Sequence, residues 1–103
     1  MRQQIPNNSD ILPIFLANKW YDLIADRKKK VEYRRICDHW TSRLFINGTN
    51  RLKYRYVRFH RAYTQTMQYA RIRKVDVGPC PYDGWEGDFY RIHFTLLDGE
   101  PKS

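Results

Sequence analysis

No aspartate or glutamate occurs between His39 and Val75, although that stretch carries nine lysines and arginines. The flanks differ. Residues 1–38 balance eight basic against five acidic residues, and residues 76–103 balance two against six, so the net charge of +8 is concentrated in the middle third. A field of one sign over part of a small domain selects polyanions, of which nucleic acid is the commonest. Solubility alone is better served by interspersed signs. Long apolar runs are also missing. The longest, Ile11 to Ala17, is too short for a membrane span or the apolar stretch of a secretory signal. No membrane partner is expected, and the chain reads as cytoplasmic. Cysteine is scarce: Cys37 and Cys80 lack a CxxC spacing and are expected to be free thiols in a reducing compartment. The sequons at Asn7 and Asn47 carry no weight without secretion.

Familiar catalytic signatures are absent as well. There is no P-loop, no GxGxxG and no Gly-x-Ser-x-Gly elbow. His39, His60 and His93 are scattered, and Cys37-Asp38-His39 lacks a second half, so no metal or other cofactor is expected. Ser9, Ser42 and Ser103 sit in poor contexts for a nucleophile. Cys37 lies near Arg35, where positive charge favours a thiolate, but the reading preferred is a buried structural thiol.

At 103 residues the chain predicts one domain, spanning 10–98, with a flexible terminus at 1–9 and a tail at 99–103. Ile11 to Leu16 is a short apolar run of strand length, and Pro13 within it predicts an edge or a bulge. Asn18 is the expected N-cap of a helix reaching about Lys28, with Trp20, Leu23 and Ile24 facing inward. A strand is expected over Val31 to Arg35, then a short helix from His39 to Phe45 capped by Asp38. Asn47 to Asn50 reads as a turn. Leu52 to Tyr63 reads as a strand with Val57 and Phe59 on its core face and Tyr54, Tyr56, Arg58 and His60 opposite. That second face either stacks on bases and holds phosphates, or packs its tyrosines and exposes only their hydroxyls. Gln65 to Val77 switches apolar parity in mid-run, which predicts a bulge near Arg73-Lys74. A long acidic loop, Gly78 to Asp88, precedes a last strand with Tyr90, Ile92, Phe94 and Leu96 facing the core. Trp85 in that loop is expected either as a lid or as a ring tucked against the end of the fold.

The chain is organised around Arg27-Lys28-Lys29-Lys30-Val31-Glu32-Tyr33-Arg34, which holds five cations and one carboxylate in eight residues. On a strand Glu32 and Arg34 share a face with Lys30, and Lys29 joins them if the backbone turns between helix and strand. The plain reading is a solvated basic helix end that complements the helix dipole. The spacing Lys29-x-x-Glu32-x-Arg34 also resembles the signature of the ASCH family (activating signal cointegrator homology domains), Gly-x-Lys-x-x-Glu-x-Arg after a first strand and helix. Val57 to Thr64 is similar to the family's next barrel strand, which often ends in Gly-Tyr. The resemblance spans roughly residues 10–97, with Arg27 in place of the family glycine and Ala62-Tyr63 in place of Gly-Tyr.

The resemblance implies an α+β fold: a small PUA-like mixed β-barrel of five or six strands, with one main and one short helix and a cleft beside the motif. It implies a domain that binds RNA, or a nucleotide within single-stranded nucleic acid. The residues expected to serve are Lys29, Lys30, Glu32, Tyr33, Arg34, Tyr54, Tyr56, Arg58, His60 and Tyr63. The competing class is a hydrolase, either a ribonuclease or an enzyme acting on a modified nucleoside, with Lys29 and Glu32 as its acid/base pair. Family amidohydrolases that deacetylate N4-acetylcytidine carry a threonine nucleophile where this chain has Glu32. With no hydroxyl to acylate, that activity is not expected here. A third reading is an interaction module whose basic face meets an acidic protein.

Overall fold

The structure, a computed structural model, describes residues 8–97. Of the loose ends expected at 1–9 and 99–103, residues 1–7 and 99–103 lie outside the described residues, as does residue 98 at the expected end of the domain, whereas Asn8–Asp10 form a single 3-10 turn. The chain then runs β1 (Ile11–Leu16), α1 (Asn18–Ala25), β2 (Val31–Arg35), α2 (Asp38–Leu44), β3 (Tyr56–Arg61), β4 (Met67–Pro79) and β5 (Asp88–Leu96). The five strands form one mixed sheet in the order β1-β3-β4-β5-β2, with β1 parallel to β3 and the other pairs antiparallel. The architecture is therefore α+β, with β1 and β2 as the two sheet edges. Pro13, which has no N–H for a ladder, lies on edge strand β1 as expected.

The strands follow their side chains. In β1, Leu12, Ile14 and Leu16 are buried, while Phe15 between them is exposed. In β3, Val57 and Phe59 are fully buried and alternate with half-buried Tyr56, Arg58 and His60. In β5, Tyr90, Ile92 and Phe94 are buried; Leu96 is half-buried against the same core. Ile24 of α1 and Leu44 of α2 complete this core. At about 25 cal/mol per Å² of apolar area, each large aliphatic side chain buried there contributes about 1.5–3 kcal/mol. The β4–β5 register shifts between Ile72 and Lys74, where the parity switch predicts a bulge. Beyond it, Arg91 lies across Gly78 to reach Asp76; a Cβ on that glycine would stand 2.5 Å from Arg91 Cζ.

Several boundaries differ from the sequence expectation. The residue before α1 is Ala17, whose carbonyl accepts from Trp20 N and Tyr21 N; Asn18 is already helical and makes no cap. Tyr21, not assigned to the inward stripe, is buried, whereas Trp20 and Leu23 are half-buried. The helix stops at Ala25 rather than Lys28 because the chain reverses: Arg27 N–H donates to Ile24 O and Lys28 N–H to Leu23 O. That bond pair is a Schellman motif, with Arg27 at its left-handed position (φ 63°). Strand β3 begins at Tyr56 rather than Leu52. Leu52 bridges Phe45, and Lys53 N–H donates to Leu44 O, so this segment folds back on the end of α2. At its other end β3 stops at Arg61, and Ala62 turns left-handed (φ 51°) while donating its N–H to Leu16 O. The second helix spans Asp38–Leu44 with Cys37 before it, and Asp38 makes no capping bond. Strand β4 is Met67–Pro79 rather than Gln65–Val77.

Candidate functional site

The Schellman turn decides where Lys29 goes. It reverses the chain after α1, and Lys29 N–H also donates to Leu23 O. The ammonium is thereby brought to Glu32, with Nζ 3.1 Å from Oε1 and 2.6 Å from Val31 O. Strand β2 places Glu32 and Arg34 on one face, and Arg34 Nε and Nη2 each lie 2.8 Å from Glu32 Oε2. Both carboxylate oxygens are engaged. The side chains of Lys29 and Glu32 are 4% and 7% exposed, which makes this a buried ion pair; Arg34, at 22%, is the end open to solvent. Unpaired, each buried ion would be destabilising by several kcal/mol, so the three side chains hold one another in place. Two cations against one carboxylate leave one positive charge in excess.

Aromatic rings enclose the group. Lys29 Nζ stands 5.0 Å from the ring centre of Tyr33, 5.4 Å from Tyr82 and 5.6 Å from Trp20. Arg34 Cζ lies 4.8 Å from the ring centre of Trp40, and its Nη2 reaches Phe15 O at 3.4 Å. This last contact joins the two sheet edges, β1 and β2, which share no ladder. Burial pushes the phenols of Tyr33 and Tyr82 above their usual pKa, so both remain hydroxyls at neutral pH.

In front of the ion group is an open cleft of about 720 Å³. Its walls come from the end of β1 with Ala17 (Phe15, Leu16), from β2 (Glu32, Tyr33, Arg34, Arg35), and from Gly84, Trp85, Glu86 and Phe89. Trp20 and Trp40 complete it, so all three tryptophans of the chain line one cavity. Trp85 is tucked against neighbouring rings at the end of the fold and also borders the cleft. Its ring packs near Phe89 (5.5 Å), Tyr82 (5.9 Å) and Trp20 (6.3 Å), yet it is 37% exposed and lines the cleft.

The structure brings together some of the expected residues and not others. Glu32, Tyr33 and Arg34 line the cleft; Lys29 lies behind Glu32, and Lys30 is exposed outside it. Tyr54 and Tyr56 are half-buried, Tyr54 against the core, and neither lines the cleft. Arg58 Nε donates to His60 Nε2 at 2.9 Å. Burial, and then the Arg58 charge, lower the pKa of His60. Tyr63 is 90% exposed. The acid-free middle third is partly neutralised from outside: Arg55 pairs with Asp10 at 2.7 Å and Arg61 with Asp22 at 3.0 Å. Sequence reasoning missed Phe15, Arg35 and Phe89, and assigned Trp20 to the core alone. Nothing in the sequence marked Phe15, which continues the apolar run from Ile11 yet faces away from the core. Among the described residues no three His, Cys, Asp or Glu side chains gather as a metal site. Cys37 and Cys80 are free thiols. No helix of the described residues is long and apolar enough to cross a membrane. No protein-family model and no curated protein matches the chain.

Proposed function

We propose that this domain binds single-stranded RNA, holding one nucleotide in the cleft between its two sheet edges. One observation carries the reading. Three tryptophans far apart in sequence converge on a single cavity whose floor is the Glu32–Arg34 pair. Bases presented out of a stack are recognised by aromatic faces and arginine planes, and phosphates by cations. Trp20, Trp40 and Trp85 supply the faces. Arg34, with the excess charge of the ion group behind it, and exposed Arg35 supply the cations. Glu86 on the wall offers an acceptor for a base amino group.

In this reading the sheet is a PUA-like barrel of the ASCH kind, open between β1 and β2. Both departures from the family pattern support it. The family glycines fall at Arg27 and Ala62, and these are the non-glycine residues of the described chain with positive φ. A position that needs left-handed backbone is one where glycine is the unstrained choice. The hydrolase alternative asks Glu32 to act as a general base, but both of its oxygens are held by cations. That geometry favours a positioning role.

The test is fluorescence of Trp85 in a Trp20→Phe, Trp40→Phe background, titrated with a random-sequence single-stranded RNA octamer. Quenching or a shift in emission maximum is expected. A signal indifferent to RNA, with no binding by anisotropy in the unsubstituted protein, overturns the reading.

A further inference from the structure

At the rim of the cleft the polypeptide exposes a second group of rings. Phe15, which lines the cleft, stacks on His60 with ring centres 4.4 Å apart and planes at 17°. It also stacks with Tyr63 at 5.3 Å and 27°. The parallel register pairs Phe15 with His60, so both project from the sheet face opposite the buried Ile14 and Phe59. Phe15 is 46% and Tyr63 90% exposed, so apolar ring surface faces water. Phe15 and Tyr63 contribute no hydrophobic burial to the core there, and Ile11 on the same face of β1 is buried.

The surroundings are cationic. Arg58 gives its Nε to His60, and among the described residues no carboxylate pairs with it. Arg61, the last residue of β3, is bound to Asp22. The hydrogen bond from Arg58 needs an acceptor nitrogen on His60, which fixes the ring as a neutral, flat imidazole suited to stacking. Flat rings in series beside a guanidinium, continuous with the aromatic cleft, match adjacent nucleotides of a single strand. They do not match a folded acidic protein, whose carboxylates would find ring faces rather than a second row of cations.

We propose that Phe15, His60 and Tyr63 form a stacking platform for the nucleotide next to the one in the cleft, with Arg58 on the connecting phosphate. The inference rests on the reading of the cleft as a nucleotide site and adds a second subsite for the neighbouring nucleotide of the strand. The ligand is an oligonucleotide strand, and a free nucleoside or mononucleotide fills only part of the surface.

The experiment compares affinities for the four nucleoside 5′-monophosphates and for a fluorescently labelled random-sequence RNA octamer, with polyglutamate as a third probe. The proteins are the unsubstituted chain, Tyr63→Ala, Phe15→Ala and the cleft variant Trp85→Ala. The unsubstituted chain should prefer the octamer. In Tyr63→Ala the octamer-to-monophosphate affinity ratio should fall roughly 5- to 150-fold, the range for losing one base stack. Tyr63 is so exposed that its removal leaves folding intact, and a matching thermal melt verifies this; Phe15→Ala should act in the same direction. Octamer binding that is lost in Trp85→Ala but indifferent to Tyr63→Ala overturns the platform and leaves the cleft standing. Binding lost in Tyr63→Ala but indifferent to Trp85→Ala removes the cleft reading instead. Equal affinity for polyglutamate and the octamer, or binding of neither RNA probe, overturns both.

Discussion

Removing the carboxylate of Glu32 while keeping its size is the sharpest perturbation of this molecule. Glu32→Gln leaves Lys29 with an ammonium whose side chain is 4% exposed and removes the partner that both Lys29 and Arg34 share. Breaking a buried ion pair from one side typically destabilises by about 3–5 kcal/mol. Lys29 keeps its bond to Val31 O and its three rings, and Arg34 keeps Trp40 and Phe15 O, which places the loss near the lower end. At roughly 4–8 °C per kcal/mol for a domain of this size, a loss of about 3 kcal/mol lowers Tm by about 12–24 °C. Lys29→Met keeps the apolar stem inside the rings and leaves Glu32 both bonds from Arg34, so it should be milder, about 1–2 kcal/mol. The double variant should be more stable than the sum of the two losses implies, by about 1–3 kcal/mol, because the buried cation left by Glu32→Gln is gone. Urea denaturation of the four proteins measures this cycle. A Tm in Glu32→Gln within a few degrees of the parent, or strict additivity, refutes the buried-pair argument. A ribonuclease or nucleoside hydrolase activity lost in Glu32→Gln with Tm and RNA affinity unchanged assigns Glu32 to general-base chemistry instead.

Ala62→Gly should stabilise the protein by about 0.5–1 kcal/mol, since left-handed backbone costs a non-glycine residue about 1–2 kcal/mol and the added chain entropy returns part of that; a lower Tm contradicts it. Asp76 is held at a pKa of about 2, first by the Arg91 hydrogen bond and then by His93. Its contribution is therefore present above the ordinary carboxylate value of 3.8 and is lost as pH falls from there toward 2. Discounted for a side chain one-third exposed, Asp76→Asn should lower stability by about 1 kcal/mol at pH 7, with the gap closing by pH 2 in urea melts. Octamer affinity should fall steeply with salt. Arg58→Ala alone should reduce the log–log slope by about one, and a slope near zero in the unsubstituted protein removes the electrostatic argument.

Much of the fold was legible because its strands obey period two. Ile11–Leu16 and Val31–Arg35 have the expected limits, and the bulge near Arg73 follows from the switch of apolar parity. Errors gathered where backbone hydrogen bonds overrule side-chain pattern. Leu52 and Lys53 read as strand, but their partners are Phe45 and Leu44, on the end of α2. The ion group was legible from spacing, with the turn as the one condition for Lys29. The walls of the cleft were not, because they come from five separate places in the chain. A tryptophan on an amphipathic helix gives the same sequence signal whether its ring faces the core or a cavity. The acid-free stretch overstated the free positive charge, since Asp10 and Asp22 reach Arg55 and Arg61 across the fold.

Two residues in left-handed backbone set the geometry of the proposed ligand surface, one on each side. Arg27 ends α1 and sends Lys29 back to Glu32, which fixes Arg34 beneath the cleft. Ala62 ends β3 and ties its N–H to Leu16 O, next to Phe15, so that Tyr63 emerges beside the Phe15 ring. Each turn places a charged or aromatic residue one or two positions further on: Lys29 after Arg27 and Tyr63 after Ala62. Strain of about 1–2 kcal/mol at each non-glycine residue persists because the neighbouring bonds over-determine the conformation. A domain of this size has only about 5–15 kcal/mol of net stability, so two such turns are a substantial concession. One turn leads to Lys29 behind the cleft and the other to Tyr63 at its rim, so the strain sits where the proposed binding surface is built.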